Sequence, residues 1–286
     1  MRKSKMKEKD YIITSAGVKM PKIIYGTAWK KERTTALVET AFKFGFRGVD
    51  TACQPKHYSE ALVGEALLNM QHEGIKREDV FIQTKFTPIG GQDPEDIPYD
   101  PNATLSEQVK QSFTVSKRNL HMHYIDSLVL HSPYSRFEDL MEVWHTMESF
   151  VQNGEVGQLG ISNCYNLEVL QNLYNKADIK PAILQNRFYA KTDYDKEIRQ
   201  WCDAHHVIYQ SFWSLTANPQ IVQGETLAAI SQKHQTTPAE IWFAFLRENR
   251  IVPLVGTTSS QHMLEDLSSL ELSLSVDEVE QIQRLL

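Results

Sequence analysis

Eight short apolar runs, rich in β-branched and aromatic residues, recur along the chain, with stretches of helical periodicity between them. They fall at residues 22–26, 46–50, 80–85, 125–131, 156–162, 182–187, 206–212 and 251–255. Runs this short and this rich in Val, Ile and Phe read as strands buried on both faces, the pattern of parallel sheets. The intervening segments, among them TTALVETAFKF, EALVGEALLNM, SEQVKQSFTVSKRNL, FEDLMEVWHTMESFVQNG and PAEIWFAFLRENR, repeat apolar residues at helical spacing. Pro238 sits in the first turn of one such segment and Gly154 in the stop position of another. Eight strand–helix units within about 250 residues predict a closed (β/α)8 TIM barrel of α/β class rather than an open sheet. Ahead of the first unit, YIITSAGVKM (residues 11–20) predicts an N-terminal β-hairpin around a Ser-Ala-Gly turn, placed to plug the barrel floor. No linker or compositional break interrupts residues 1–286, so one domain is expected, with residues 1–10 flexible.

Composition narrows the partners. With 41% hydrophobic and 23% charged residues and a mean hydropathy of −0.40, the chain reads as a soluble globular protein. A net charge of −6 and a pI near 5.9 argue against nucleic acid, which calls for clustered Lys and Arg. No apolar stretch of signal-peptide or membrane length follows the basic opening, so a cytoplasmic monomer or weak homodimer acting on a small molecule is expected. Cys53, Cys164 and Cys202 form neither a disulfide framework nor a C-x-x-C pair, consistent with reduced thiols. His121, His123, His205 and His206 lack partners at zinc-ligand spacing, so no metal is expected. There is no G-x-G-x-x-G and no G-x-x-x-x-G-K-[ST], which argues against an open-sheet dinucleotide fold and a P-loop.

Three polar residues close three of the runs: Asp50 ends FRGVD, Lys85 ends VFIQTK and His131 ends YIDSLVLH. Ligands of parallel barrels bind at the carboxyl ends of the strands, so an acid, an amine and an imidazole converge on one rim. Tyr58 lies in the loop above Asp50. Free tyrosine has a pKa near ~10 and exchanges protons poorly at neutral pH, but a neighbouring ammonium favours its phenolate, and a carboxylate keeps that ammonium charged. A neutral His131 could orient a carbonyl oxygen and stabilise charge developing on it. Taken singly, Asp50 reads as a helix cap, Lys85 as a solvated lysine and His131 as a satisfied core histidine. Their joint placement on strand ends favours a site for carbonyl reduction. Trp29, Phe86 and Tyr134 follow strand ends and are candidates to line a substrate pocket, with plain packing as the alternative.

VDTA followed by a Tyr and Glu-x-x-Val-Gly, then QTKF, LVLHSP and GQLGISN, resemble in order and spacing the aldo-keto reductase family, over residues 22–266. The resemblance implies a TIM barrel, NADPH as cofactor, and a tetrad falling here on Asp50, Tyr58, Lys85 and His131, with the tyrosine protonating the carbonyl oxygen. It also implies that Ser162, Asn163 and Gln185 hold the nicotinamide carboxamide and that Phe212 stacks on its ring. Trp213 and Leu215 would lie near the pyrophosphate, with Thr27 and Ala28 bordering the cofactor. GTTSSQHMLEDL matches the family's adenosine-phosphate loop and helix start, implying roles for Gly256, Thr257, Thr258, Ser259 and His262, with Glu265 and Asp266 facing the adenine.

Two departures stand out. Counted back from Glu60, the family's tyrosine position holds His57, with Tyr58 one residue later and the loop from Asp50 two residues longer. Tyr58 is assigned because the family also has loops of this HY-x-E type; His57 is the competing donor. The basic pair that selects a 2′-phosphate is replaced by Gly256 and His262, which weakens NADPH over NADH. The chain stops at Leu286, directly after VDEVEQIQRLL, without the long closing loop of many family members, so an open pocket with broad aldehyde use is expected. TPIGGQDPEDIPYDPNATL after Lys85 is the longest rim loop, expected to shape access or to move as a lid. Two functions result: an NAD(P)H-dependent reductase of aldehydes or ketones, or a weakly active cofactor-binding barrel serving as a redox sensor or regulatory subunit.

Overall fold

The computed structural model describes residues 6–286. Ten strands form: β1 (Tyr11–Ile13), β2 (Lys19–Pro21), β3 (Ile24–Gly26), β4 (Gly48–Asp50), β5 (Phe81–Phe86), β6 (Ile125–Leu130), β7 (Val156–Ser162), β8 (Ile183–Arg187), β9 (Ile208–Phe212) and β10 (Ile251–Val255). The last eight pair in parallel in chain order, and β10 returns to β3 to close the barrel. The helices are α1 (Thr34–Phe44), α2 (Glu60–His72), α3 (Leu105–Leu120), α4 (Phe137–Gln152), α5 (Leu167–Lys176), α6 (Lys196–Ala204), α7 (Pro219–Val222), α8 (Glu225–His234), α9 (Pro238–Glu248), α10 (Ser260–Ser268) and α11 (Val276–Gln283).

Local chemistry explains the breaks. Thr237 accepts from the Glu240 amide while Glu240 reaches back to the Thr237 amide, a reciprocal cap that starts α9 with Pro238 in its first turn. Ser275 and Glu278 repeat the device on α11. After α4, Gly154 takes φ 73°, the left-handed conformation in which a side chain would be strained. Gly64 meets a different demand: a β-carbon there would stand 1.9 Å from the Asn119 carbonyl oxygen, so α2 and α3 pack backbone to backbone.

The predicted hairpin forms, β1 against β2 in antiparallel register, and it closes the amino-terminal end of the barrel. Met20 is fully buried among Ile24, Phe81, Ile183 and Val252, from strand starts or strand interiors, and Ala182 just ahead of β8. Thr14, in the connecting turn, donates to Oε1 of Gln158 on β7 at 2.6 Å. Residues 7–10 differ from the flexibility expected of them. Glu8–Asp10 form a 3-10 turn, Asp10 is buried, and the Lys7 and Lys9 ammonium groups meet Glu271 at 2.7 and 2.8 Å. Residues 1–5 of that expectation lie outside the described residues. No helix of the described residues is long and apolar enough to cross a membrane.

Candidate active site

At the opposite end of the barrel, three strand-borne groups and one loop residue meet. Lys85 is wholly buried; its ammonium donates to Asp50 Oδ2 at 2.6 Å and to the Thr51 carbonyl at 2.8 Å. Burial opposes the ammonium, but Asp50 and then Tyr58 outweigh it, and the Lys85 pKa is raised. The Tyr58 ring centroid is 5.0 Å from that ammonium. Sequence reasoning emphasised the pull of Lys85 toward phenolate; burial wins instead, and the phenol pKa is raised, so Tyr58 rests as a protonated donor. The His131 ring lies 5.9 Å from the Tyr58 ring, nearly edge-on. Burial, then Lys85 and His57, hold its pKa well below the usual imidazole value, so it is neutral.

A tight turn aims the loop. His57 and Tyr58 amides both donate to the Gln54 carbonyl, which turns Tyr58 inward. His57 goes outward: its ring stacks on Trp29 at 3.9 Å, and its carbonyl accepts from the Trp29 amide. The phenol, not the competing imidazole, is therefore the group beside Lys85. Glu60 is buried behind this loop, accepting from Thr84 at 2.5 Å and from Asn119 at 3.1 Å, which ties the start of α2 to β5.

Beneath the pair lies a feature the sequence reading missed. Asp50 Oδ1 accepts from Gln83 Nε2 at 2.8 Å and from Gln185 Nε2 at 3.1 Å. Both amides also donate to Gln210 Oε1, at 2.7 and 2.9 Å. Three buried glutamines from β5, β8 and β9 thus form an amide layer between the floor and the charged pair, fixing a carboxylate that burial would otherwise leave short of donors.

The remaining predicted residues divide by what they present. Asn163 donates to the His131 carbonyl at 2.9 Å, and Ser162 donates to the Gln185 carbonyl at 2.7 Å. Phe212 is half-buried at the mouth, Trp213 and Trp29 are exposed, and Leu215 and Ala28 are half-buried. Ser259 caps α10 by accepting from the His262 amide, and Thr257 accepts from the Ser259 amide. Gly256 and Thr258 are exposed beside them, as is His262. Glu265 is half-buried and accepts from Gln261. Tyr134 is half-buried, packed against the core, with its hydroxyl unpartnered among the described residues.

Three expectations are corrected and a fourth is narrowed. Phe86 follows Lys85 on a pleated strand, so its side chain points the other way, buried against Tyr99 rather than lining a pocket. Thr27 is fully buried, with its amide and hydroxyl both donating to the Asp50 carbonyl; it props the end of β4 and offers no surface to a ligand. Asp266 is buried on the inner side of α10 and cannot face an adenine from there. Of the two roles expected of the long loop after Lys85, its anchoring favours shaping access over moving as a lid: Gln92 donates to the Cys53 carbonyl at 3.0 Å, Tyr99 to the Thr87 carbonyl at 2.8 Å, and Gln54 to the Gly91 carbonyl at 2.6 Å.

The mouth suits a nicotinamide nucleotide. Gln185 spends its amide nitrogen on Asp50 and Gln210 and keeps Oε1 as an acceptor, the aromatic Phe212 lies one strand away, and hydroxyls crowd the start of α10.

A closed parallel barrel with an acid, an amine, a phenol and an imidazole at its carboxyl rim defines the class of a barrel oxidoreductase acting on carbonyl groups. The chain belongs to the aldo/keto reductase family, whose model matches residues 22–286. It is an NAD(P)H-dependent oxidoreductase. It is 25% identical over 280 residues to glyoxal reductase of Bacillus subtilis, covering 97% of this chain and 93% of that one. It is 26% identical over 310 residues to the NAD(P)H-dependent D-xylose reductase I,II of Candida tropicalis, covering 95% and 90%. In fold it is similar to an aldo/keto reductase from Brucella melitensis, with a TM-score of 0.81 and 23% identity, covering 96% of this chain and 98% of that one. An aldo-keto reductase solved with NADPH superposes with a TM-score of 0.80 at 21% identity, covering 96% and 86%.

Proposed function

We propose that this protein reduces small aldehydes, with Tyr58 as proton donor and NADPH as the preferred cofactor, NADH being the alternative. The observation that carries the reading is the buried Lys85–Asp50 pair at 2.6 Å, set beneath a phenol whose proton burial retains. Tyr58 protonates the carbonyl oxygen; Lys85, held charged by Asp50, stabilises the phenolate left behind. His131, neutral, donates to the same oxygen as charge develops on it. The bound nicotinamide would supply the hydride. Ser162, Asn163 and Gln185 would hold its carboxamide, Phe212 its ring face, Ala28, Trp213 and Leu215 its neighbouring groups, and residues 256–259 with His262 and Glu265 the adenosine end. Trp29 and Tyr134 would border the substrate.

Similarity to a glyoxal reductase and to a xylose reductase supports an aldehyde substrate, and the NADPH-bound neighbour supports the cofactor choice. Three buried free cysteines accord with a single-domain cytoplasmic protein, taken to be a monomer or weak homodimer. The sensor reading gains nothing from the geometry. The test follows NADPH and NADH absorbance with a panel of aliphatic and aromatic aldehydes. Turnover with a lower KM for NADPH is expected; cofactor binding without turnover of any carbonyl would overturn the reading.

A further inference from the structure

Arg187 ends β8 at the mouth, and no part of the proposed mechanism uses it. Gln185, two residues earlier, points into the barrel to reach Asp50, whereas Asn186 points outward to Asp195 and the Cys164 carbonyl. The pleat therefore places Arg187 on the inward face, one layer above Gln185, in register with Phe212 across β9.

Aromatic rings surround the guanidinium. Its carbon lies over the ring of Trp213, 4.1 Å from the centroid, and over those of Tyr189 at 5.3 Å and Phe212 at 5.9 Å. Ring faces hold a cation but are weak hydrogen-bond acceptors, so these contacts leave its N–H donors for a stronger partner. Among the described residues, no carboxylate lies within ion-pair distance of Arg187 and no acceptor takes a hydrogen bond from its side chain. In a chain of net charge −6, a half-buried cation held among three rings at the rim of a site, with no ion-pair partner among the described residues, is suited to receive an anion.

We infer that Arg187 binds an anionic oxygen group, phosphate or carboxylate, carried by one of the two ligands that meet at the barrel mouth. The identity of those ligands rests on the reductase reading above, and the two sources are the cofactor diphosphate and a carboxylate on the carbonyl substrate. A planar fork suits either group through paired N–H donors.

The test compares wild type, Arg187→Met and Arg187→Lys. NADPH is titrated against tryptophan fluorescence, and kcat/KM is measured for benzaldehyde and 4-carboxybenzaldehyde. Loss of a charge-assisted pair predicts an effect of about tenfold or more. A rise of that size in the NADPH Kd assigns the diphosphate; a fall of that size for the carboxylated aldehyde relative to benzaldehyde assigns the carboxylate. In either arm Arg187→Lys lies between the other two, and it alone carries the comparison should Arg187→Met not fold. Both quantities unchanged within about twofold would overturn the inference. If wild type turned over no aldehyde, the reductase reading would fall, while the NADPH titration would still decide the role of Arg187.

Discussion

The Thr87 hydroxyl lies 2.6 Å from Nδ1 of His131. With the hydroxyl donating, Nδ1 accepts and the ring proton resides on Nε2, the nitrogen left to face a substrate. Thr87→Val removes this lock, and kcat/KM is expected to fall by about tenfold or more, whereas Thr87→Ser retains most activity. A merely structural threonine would instead leave the pH profile of Thr87→Val parallel to that of wild type.

The proposed proton delivery by Tyr58 sets it in sharp contrast with its neighbour. Tyr58→Phe should lose about two to four orders of magnitude in kcat, the scale of a positioned general acid. His57→Ala should lose far less, since that ring packs on Trp29 and not on Lys85. Steady-state kinetics on both variants decides the matter; the reverse pattern would move the donor to His57.

The amide layer yields a third expectation. Gln210→Met deprives Gln83 and Gln185 of a shared acceptor and leaves two buried donors to find others. Unsatisfied buried groups cost about 1–3 kcal/mol each, so the melting temperature should drop by several degrees. Activity should fall as well, because Asp50 loses the donors' fixed aim; a variant as stable and as active as wild type would deny the layer any role.

Asp266 predicts a dependence of stability on pH. Burial, then Glu265 and Glu240, push its pKa up to about 8, above that of the same carboxyl in the unfolded chain. At pH values below about 4 both states hold the proton and burial costs no ionisation energy. Between there and about pH 8 the unfolded chain ionises first, so stability contributed by the neutral carboxyl is lost as pH rises. Asp266→Asn should therefore match wild type in melts near pH 4 and exceed it increasingly toward pH 8. A constant offset across that range would show that Asp266 does not titrate as described.

Gly64→Ala should be severely destabilising, by about 3 kcal/mol or more, because its β-carbon would be driven against the Asn119 carbonyl, a backbone atom that cannot yield without separating α2 from α3. Denaturant melts measure it.

Much of this molecule is legible in its residues, for reasons that differ by level. The eight barrel strands follow from β-branched runs because strands buried on both faces must be apolar throughout, and the start of α9 follows from Pro238 in its first turn. Asp50, Lys85 and His131 stand out because charged and titratable groups at the ends of such runs need a reason. Gln83 and Gln210 carry no such signal: a neutral amide within a strand reads as a solvent-facing position until the barrel closes around it. Thr87 is as quiet, an ordinary residue after a strand. For Phe86, where pocket and packing stand as alternatives, the pleat that sets it opposite Lys85 decides for packing. Asp266 could be separated from the neighbouring Glu265 only by knowing which side of α10 meets the core.

The hairpin seated on Met20, with Thr14 reaching Gln158, covers one end of a barrel whose interior is already solid. With the Gln83, Gln185 and Gln210 amides packed beneath Asp50, the Lys85 ammonium is approached from the carboxyl rim, so changes to the eleven residues of the hairpin should register in stability before they register in chemistry.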